Sequence, residues 1–137
     1  MNHAGVLLDT GPLVALLSKH DANHDRARGM FGGCLPPFRC CEAVLAEACF
    51  LMRKINADGP AEVMALGARG VYQVAIAAQA HLSNIEVLLK KYADQPISFA
   101  DACLIRCAEI HGEARIATFD TDFRRYRWGR NRKFDQI

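Results

Sequence analysis

Three acidic residues interrupt apolar stretches where a carboxylate has no evident local partner. Asp9 directly follows Val6-Leu7-Leu8. Glu47 lies in the middle of the apolar segment 43–52, and Asp101 has apolar or small neighbours on both sides in Ile97-Ser98-Phe99-Ala100-Asp101-Ala102-Cys103-Leu104. An ionised carboxylate withdrawn from water is costly unless a cation or several donors compensate it, and few Lys or Arg residues lie near these three in the chain. A fourth acid, Asp120, closes the segment Arg115-Ile116-Ala117-Thr118-Phe119-Asp120. Brought together, four such groups would repel one another in the absence of a cation. An all-oxygen donor set suits a hard divalent ion such as Mg²⁺ or Mn²⁺, which keeps some of its waters and can also bind phosphate. The chemistry that fits is phosphodiester hydrolysis, in which metal lowers the pKa of an attacking water and steadies the leaving oxygen.

Each of these residues also has a structural reading. Asp9 can cap a helix that begins near Pro12, Ser98 with Asp101 resembles a capping arrangement, and Asp120 ahead of Thr121-Asp122-Phe123 suits a turn. Glu47 has the weakest such alternative. As a set of four, caps and turns are a poor explanation.

The elements that must position the acids follow from periodicity. Val6-Leu7-Leu8 is a short continuous apolar run, the pattern of a strand buried on both faces. It leads through Asp9-Thr10-Gly11 to Pro12, which suits the first turn of a helix reaching about Leu17. A second helix is expected from near Asp21, with Ala27, Met30 and Phe31 inward, broken by Pro36-Pro37 before a short strand at 38–40. The segment from Glu42 to about Lys54 predicts a helix apolar on nearly all sides, with Val44, Ala48, Leu51 and Ile55 on one stripe and Leu45, Cys49 and Met52 on another. A turn at 56–60 leads into a shorter helix to about Ala68. A strand at 71–76 and a helix from about Gln79 to Tyr92 follow. The helix from Ser98 should stop at Gly112. Arg115 to Thr118 reads as one more strand, and Arg132 to Ile137 as a last one. Strands alternating with helices predict an α/β domain, a central parallel sheet of about five strands flanked by helices on both faces.

Composition narrows the class. The 137 residues are 51% hydrophobic and 23% charged, with a formal net charge of +2, as expected of one soluble domain and not of a disordered chain. No apolar run approaches the roughly 18–20 residues that a membrane-spanning helix needs. The first residues make a poor signal peptide, so a cytoplasmic location with no membrane association is expected. None of the six cysteines forms a Cys-x-x-Cys pair, which favours reduced core thiols over a disulfide or metal framework. Arg124, Arg125, Arg127, Arg130, Arg132 and Lys133 crowd into the last fourteen residues, interleaved with Tyr126, Trp128 and Phe134. Arg124, Arg125 and Arg127 are candidate RNA contacts, although a solvated face around aromatic core anchors is the plainer reading.

The ordered motifs resemble a known family. Leu7-Leu8-Asp9-Thr10-Gly11-Pro12-Leu13-Val14-Ala15-Leu16-Leu17 is similar to the opening strand and helix of a PIN domain, especially of the VapC toxins of bacterial toxin–antitoxin pairs. His24 falls where that family often has a histidine. Val44-Leu45-Ala46-Glu47, Ser98-Phe99-Ala100-Asp101-Ala102 and Thr118-Phe119-Asp120-Thr121-Asp122-Phe123 resemble its later acidic motifs, in the right order and across nearly the whole chain. The resemblance implies a Mg²⁺- or Mn²⁺-dependent endoribonuclease with Asp9, Glu47, Asp101 and Asp120 as its acidic quartet. Thr10 and Thr118 would support the quartet, and Asp122 would be an extra ligand or a substitute for Asp120. It also implies a homodimer and a small antitoxin whose C-terminal segment occupies the active-site groove. A Ser or Thr often precedes the Glu47 helix in the family, where Cys40-Cys41 stand here.

Two other enzymatic readings and one non-enzymatic reading compete. A haloacid-dehalogenase-type phosphatase wants a second Asp two residues after the first, where this chain has Gly11. A housekeeping RNA-processing nuclease would share the quartet. A catalytically silent PIN module that binds RNA or a protein partner would not need it intact.

Overall fold

Val6, Leu7 and Leu8 have no polar side chain to offer solvent, and in the computed structural model, which describes residues 3–137, all three are buried. In chain order the elements are β1 (His3–Ala4), β2 (Leu7–Leu8), α1 (Thr10–Leu17), α2 (His24–Gly32), β3 (Cys34–Leu35), β4 (Phe38–Cys40), α3 (Glu42–Ile55), α4 (Gly59–Ala68), β5 (Tyr72–Val74), α5 (Leu82–Lys91), α6 (Phe99–His111), β6 (Arg115–Ala117), β7 (Arg127–Trp128), β8 (Arg132–Lys133) and β9 (Asp135–Gln136). Five strands form one parallel sheet in the order β5-β4-β2-β6-β9, flanked by the helices. The α/β expectation therefore holds.

Strand order decides where ligands can sit. From β2 the chain steps outward to β4 and β5, then returns to the other side of β2 to lay down β6 and β9. The order reverses between β2 and β6, and at such a switch point the two connections leave in opposite directions, opening a crevice at the carboxyl ends of the strands. β2 ends immediately before Asp9, and β6 ends immediately before Thr118. The Asp9 N–H donates to the Ala117 carbonyl at 3.0 Å, so the two strand ends are hydrogen-bonded at the crevice.

Helix α6 lies against the sheet and is buried on most of its circumference, from Ala100 through Ala108. Cys103 and Cys107 are core residues on it, and all six cysteines are free thiols. Its Ser98 side chain accepts from the Asp101 N–H at 3.0 Å, and Gly112 terminates it at φ 63°, the left-handed conformation glycine adopts without strain.

Helix α3 departs from expectation. Only Val44, Ala48 and Met52 are buried along it. Leu51 and Ile55, assigned by periodicity to a covered stripe, are exposed together with Phe50. The neighbouring α4 covers one side of α3 only. There Gly59 meets the α3 backbone so closely that a Cβ would stand 2.5 Å from the Met52 carbonyl oxygen.

Three boundaries also moved. The Asp21 carboxylate accepts from the Asn23 N–H at 2.8 Å, holding a turn that delays α2 to His24. The helix expected from Gln79 begins as a 3₁₀ turn at Ala78–His81. The last segment divides: β8 pairs antiparallel with β7, and β9 pairs parallel with β6. In the tail, Tyr126 and Trp128 are buried and the Phe134 ring packs edge-on against Phe123, so the aromatic residues serve the core.

At the end of the sheet opposite the crevice, the Arg115 guanidinium forms two hydrogen bonds to the buried Glu113, at 2.9 and 2.8 Å, and also reaches the His3 ring and the Ala4 carbonyl. This network ties β1 to β6. Among the described residues no helix is long and apolar enough to cross a membrane.

Candidate active site

Asp9 leaves β2 in an extended conformation and caps α1. One carboxylate oxygen accepts from the Thr10 N–H at 2.8 Å, and the other accepts from the Thr118 hydroxyl at 2.6 Å. Thr118 in turn accepts from the Asp120 N–H at 2.9 Å, so one buried hydroxyl links the carboxylate after β2 to the loop after β6. Asp120 caps the following 3₁₀ turn through the Asp122 N–H at 2.8 Å, and its carbonyl accepts from the Gln136 side chain at 2.8 Å. Asp101 faces inward from the first turn of α6, where the Tyr126 hydroxyl donates to it at 3.0 Å. Glu47 reaches in from α3 and accepts from the Thr10 hydroxyl at 3.0 Å. For Asp9 and Asp120 the capping role and the converging site are therefore both real, since the same carboxylates do both.

Asp9, Glu47, Asp101 and Asp120 line one cleft of about 480 Å³, together with Thr10 and Ser98, and Leu51, Pro96 and Phe119 supply apolar walls. Electrostatics distinguish the acids. Burial pushes the Asp9 carboxyl up to about 6. The hydrogen bonds from Thr118 and Thr10 pull it back, and the charges of Asp101 and Asp120 push it further up. Burial raises Asp101 as well, against the opposing hydrogen bonds from Tyr126 and Ser98. Burial and the adjacent Asp101 charge push the Tyr126 phenol above its usual range, which keeps it a hydrogen-bond donor to that carboxylate.

Glu47 requires a correction of the physical argument. Its helix has an apolar composition, but its own position is exposed, so it is not the desolvated acid that the periodicity predicts. The buried acids of the cleft are Asp9 and Asp101, each 8% exposed. Asp122 lies outside the cleft lining, and its carboxylate is paired with the Arg125 guanidinium. Arg124 and Arg125 are exposed, and Arg127 donates to the carbonyls of Arg124 and Tyr126. His24 is held at the Ala15 carbonyl at 2.7 Å and joins α2 to α1. Sequence reasoning missed Tyr126, Gln136, Phe119, Leu51 and Pro96. For Tyr126 the only available signal was its position inside a basic run, which gave no hint that it reaches Asp101.

Oxygen donors of this kind fit a hard divalent ion. Among the described residues, no three His, Cys, Asp or Glu side chains are gathered closely enough to hold an ion by themselves. An arrangement in which carboxylates surround a cleft without forming a cage suits Mg²⁺ or Mn²⁺, since such ions retain waters and take only one or two carboxylates directly.

The sheet order, the crevice at the switch point and the four acids define a class. The PIN domain family profile matches residues 6–129, and the chain belongs to that family. Among solved structures the fold is similar to the crystal structure of Mycobacterium tuberculosis VapC20, described as a toxin that cleaves the sarcin–ricin loop. The TM-score is 0.76 at 22% sequence identity, over 85% of this chain and 91% of that one. No curated protein matches the sequence significantly.

Proposed function

We propose that the protein is a metal-dependent endoribonuclease, the toxin of a VapBC-type toxin–antitoxin pair. The observation that carries this reading is the convergence of Asp9, Glu47, Asp101 and Asp120 on one cleft at the switch point of a PIN-family sheet. Asp9, Asp101 and Asp120, with Glu47 across the cleft, would hold Mg²⁺ or Mn²⁺. The ion would activate the attacking water and neutralise charge on the phosphate and leaving oxygen.

The remaining work belongs to the chain itself. Thr118 fixes one Asp9 oxygen and the Thr10 amide fixes the other, leaving the carboxylate little freedom to rotate. The Thr10 hydroxyl orients Glu47, and Tyr126 orients Asp101. A set of acids held this way needs little rearrangement on binding substrate, which is where positioning contributes most to rate. The likeness to VapC20 supports a structured RNA with an accessible loop as the substrate class.

A small antitoxin and a second copy of the chain are the proposed partners. The exposed Phe50, Leu51 and Ile55 on α3, the helix that carries Glu47 to the cleft, support a protein partner there. A cytoplasmic location goes with that role.

The test is cleavage of structured RNA by the purified protein. Activity should require Mg²⁺ or Mn²⁺, stop in EDTA and fall by at least about a hundredfold in Asp101→Asn. Cleavage that persists in EDTA would sink the mechanism. If overexpression does not slow growth and no small open reading frame adjoins the gene, the toxin assignment gives way to an RNA-processing role.

A further inference from the structure

A cleft lined by four carboxylates repels the polyanion it is proposed to cut. A metal at its centre answers only part of that repulsion, because the phosphates flanking the scissile one also pass the rim. The cations near the site are mostly engaged. Arg125 is paired with Asp122, and Arg127 is bound to backbone carbonyls. Arg115 lies at the far end of the sheet with Glu113, and Arg106 bridges Glu109.

Arg26, on the exposed face of α2, is different. Its guanidinium carbon sits over the Phe119 ring, 4.8 Å from the centroid. Phe119 lies between Thr118 and Asp120 and lines the cleft. Its ring is seated against Gly11, where a Cβ would come within 3.1 Å of the ring edge. Among the described residues, Arg26 has no carboxylate or carbonyl acceptor within hydrogen-bonding reach. An arginine held by a ring instead of a carboxylate keeps its N–H donors unspent while losing much of its side-chain freedom.

We propose that Arg26, stacked on Phe119 at the rim of the acidic cleft, binds a phosphate of the RNA strand adjacent to the one cleaved. The guanidinium fork matches a phosphodiester's two free oxygens. Phe119 acts as its platform, and Gly11 provides the room for that ring. The inference rests on the ribonuclease reading and adds to it the residue that sets the strand's register in the cleft.

The test compares wild type, Arg26→Ala, Arg26→Lys, Phe119→Leu and the pair Arg26→Ala/Phe119→Leu, with Arg28→Ala as an exposed control on the same helix. Cleavage of total bacterial RNA in Mn²⁺ gives KM and kcat, and binding of a fluorescent hairpin RNA at several salt concentrations gives Kd and its salt slope. Arg26→Ala should raise KM and Kd about tenfold with kcat within about twofold, and lower the salt slope by about 0.7, the value for one single-strand phosphate contact. Phe119→Leu should reproduce the defect, the double variant should be no worse than either single one, and Lys should restore part of the affinity. Unchanged Kd and salt slope in Arg26→Ala, beside a wild type that cleaves RNA, overturns this inference alone. So does an equal loss in Arg28→Ala. A wild type that neither binds nor cleaves RNA overturns both readings.

Discussion

Replacing Asp9 with Asn should stabilise the metal-free protein at neutral pH while abolishing cleavage. Burial raises the Asp9 carboxyl from 3.8 to about 6, and at about 1.4 kcal/mol per pH unit the ionised form costs about 3 kcal/mol. With only 8% of the residue exposed, solvent screening reduces that figure little. Asn keeps an acceptor for the Thr10 amide but turns an NH₂ toward the Thr118 hydroxyl, a loss of about 1 kcal/mol. The net gain is therefore about 1–2 kcal/mol. The sign runs against the usual carboxylate. With a folded-state pKa above the unfolded one, the protonated side chain is compatible with the fold, and stability is lost as pH rises from about 4 through about 6. Urea denaturation in EDTA at about pH 7 and about pH 4.5 measures both effects, and the advantage of Asp9→Asn should be present at the higher pH and vanish at the lower. Added Mg²⁺ or Mn²⁺ should then stabilise the wild type more than the variant. A variant less stable than wild type at neutral pH, or equally more stable at both, would refute the reasoning.

Other substitutions probe the supports. Tyr126→Phe removes the phenol that donates to Asp101 and should lower cleavage about tenfold in single-turnover assays with the circular dichroism spectrum unchanged. Glu113→Gln breaks the two-pronged contact with Arg115 and should cost about 1–3 kcal/mol in urea denaturation. Burial pushes Glu113 up, but the Arg115 hydrogen bonds and charge outweigh it and leave its pKa below 4.5. Its contribution is therefore present at neutral pH and lost as pH falls, so the gap between variant and wild type should narrow on acidification. Gly59→Ala places a methyl against the Met52 backbone and should destabilise by about 1–3 kcal/mol. An unchanged urea midpoint would mean that the α3–α4 joint opens freely.

What was legible in the chain were exceptions to a pattern. Asp9 ends a run of three apolar residues and Asp101 interrupts another, and both are buried acids of the cleft. Glu47 shows the limit of that reasoning. Periodicity records which helix positions are apolar but not which stripe the fold will cover, and on α3 the covered stripe is Val44, Ala48 and Met52 while Phe50, Leu51 and Ile55 face outward. The tail was unreadable for another reason. Gly129 and Asn131, both at positive φ, bend residues 127–133 into a hairpin, while Asp135 and Gln136 find their partners twenty residues upstream, at Arg115 and Ile116. Pairing over that distance leaves no local periodic trace. Tyr126 was hidden in the same way, since only tertiary packing brings its hydroxyl to Asp101.

The Thr118–Asp9 hydrogen bond joins residues 109 positions apart, and Gln136 then braces the Asp120 carbonyl. Chain synthesis lays down Asp9 at the tip of β2 long before the hydroxyl that orients it and the strand that braces its neighbour. A product truncated ahead of Thr118 therefore carries the first carboxylate but no assembled cleft, and such a fragment of an RNA-cutting protein would be harmless.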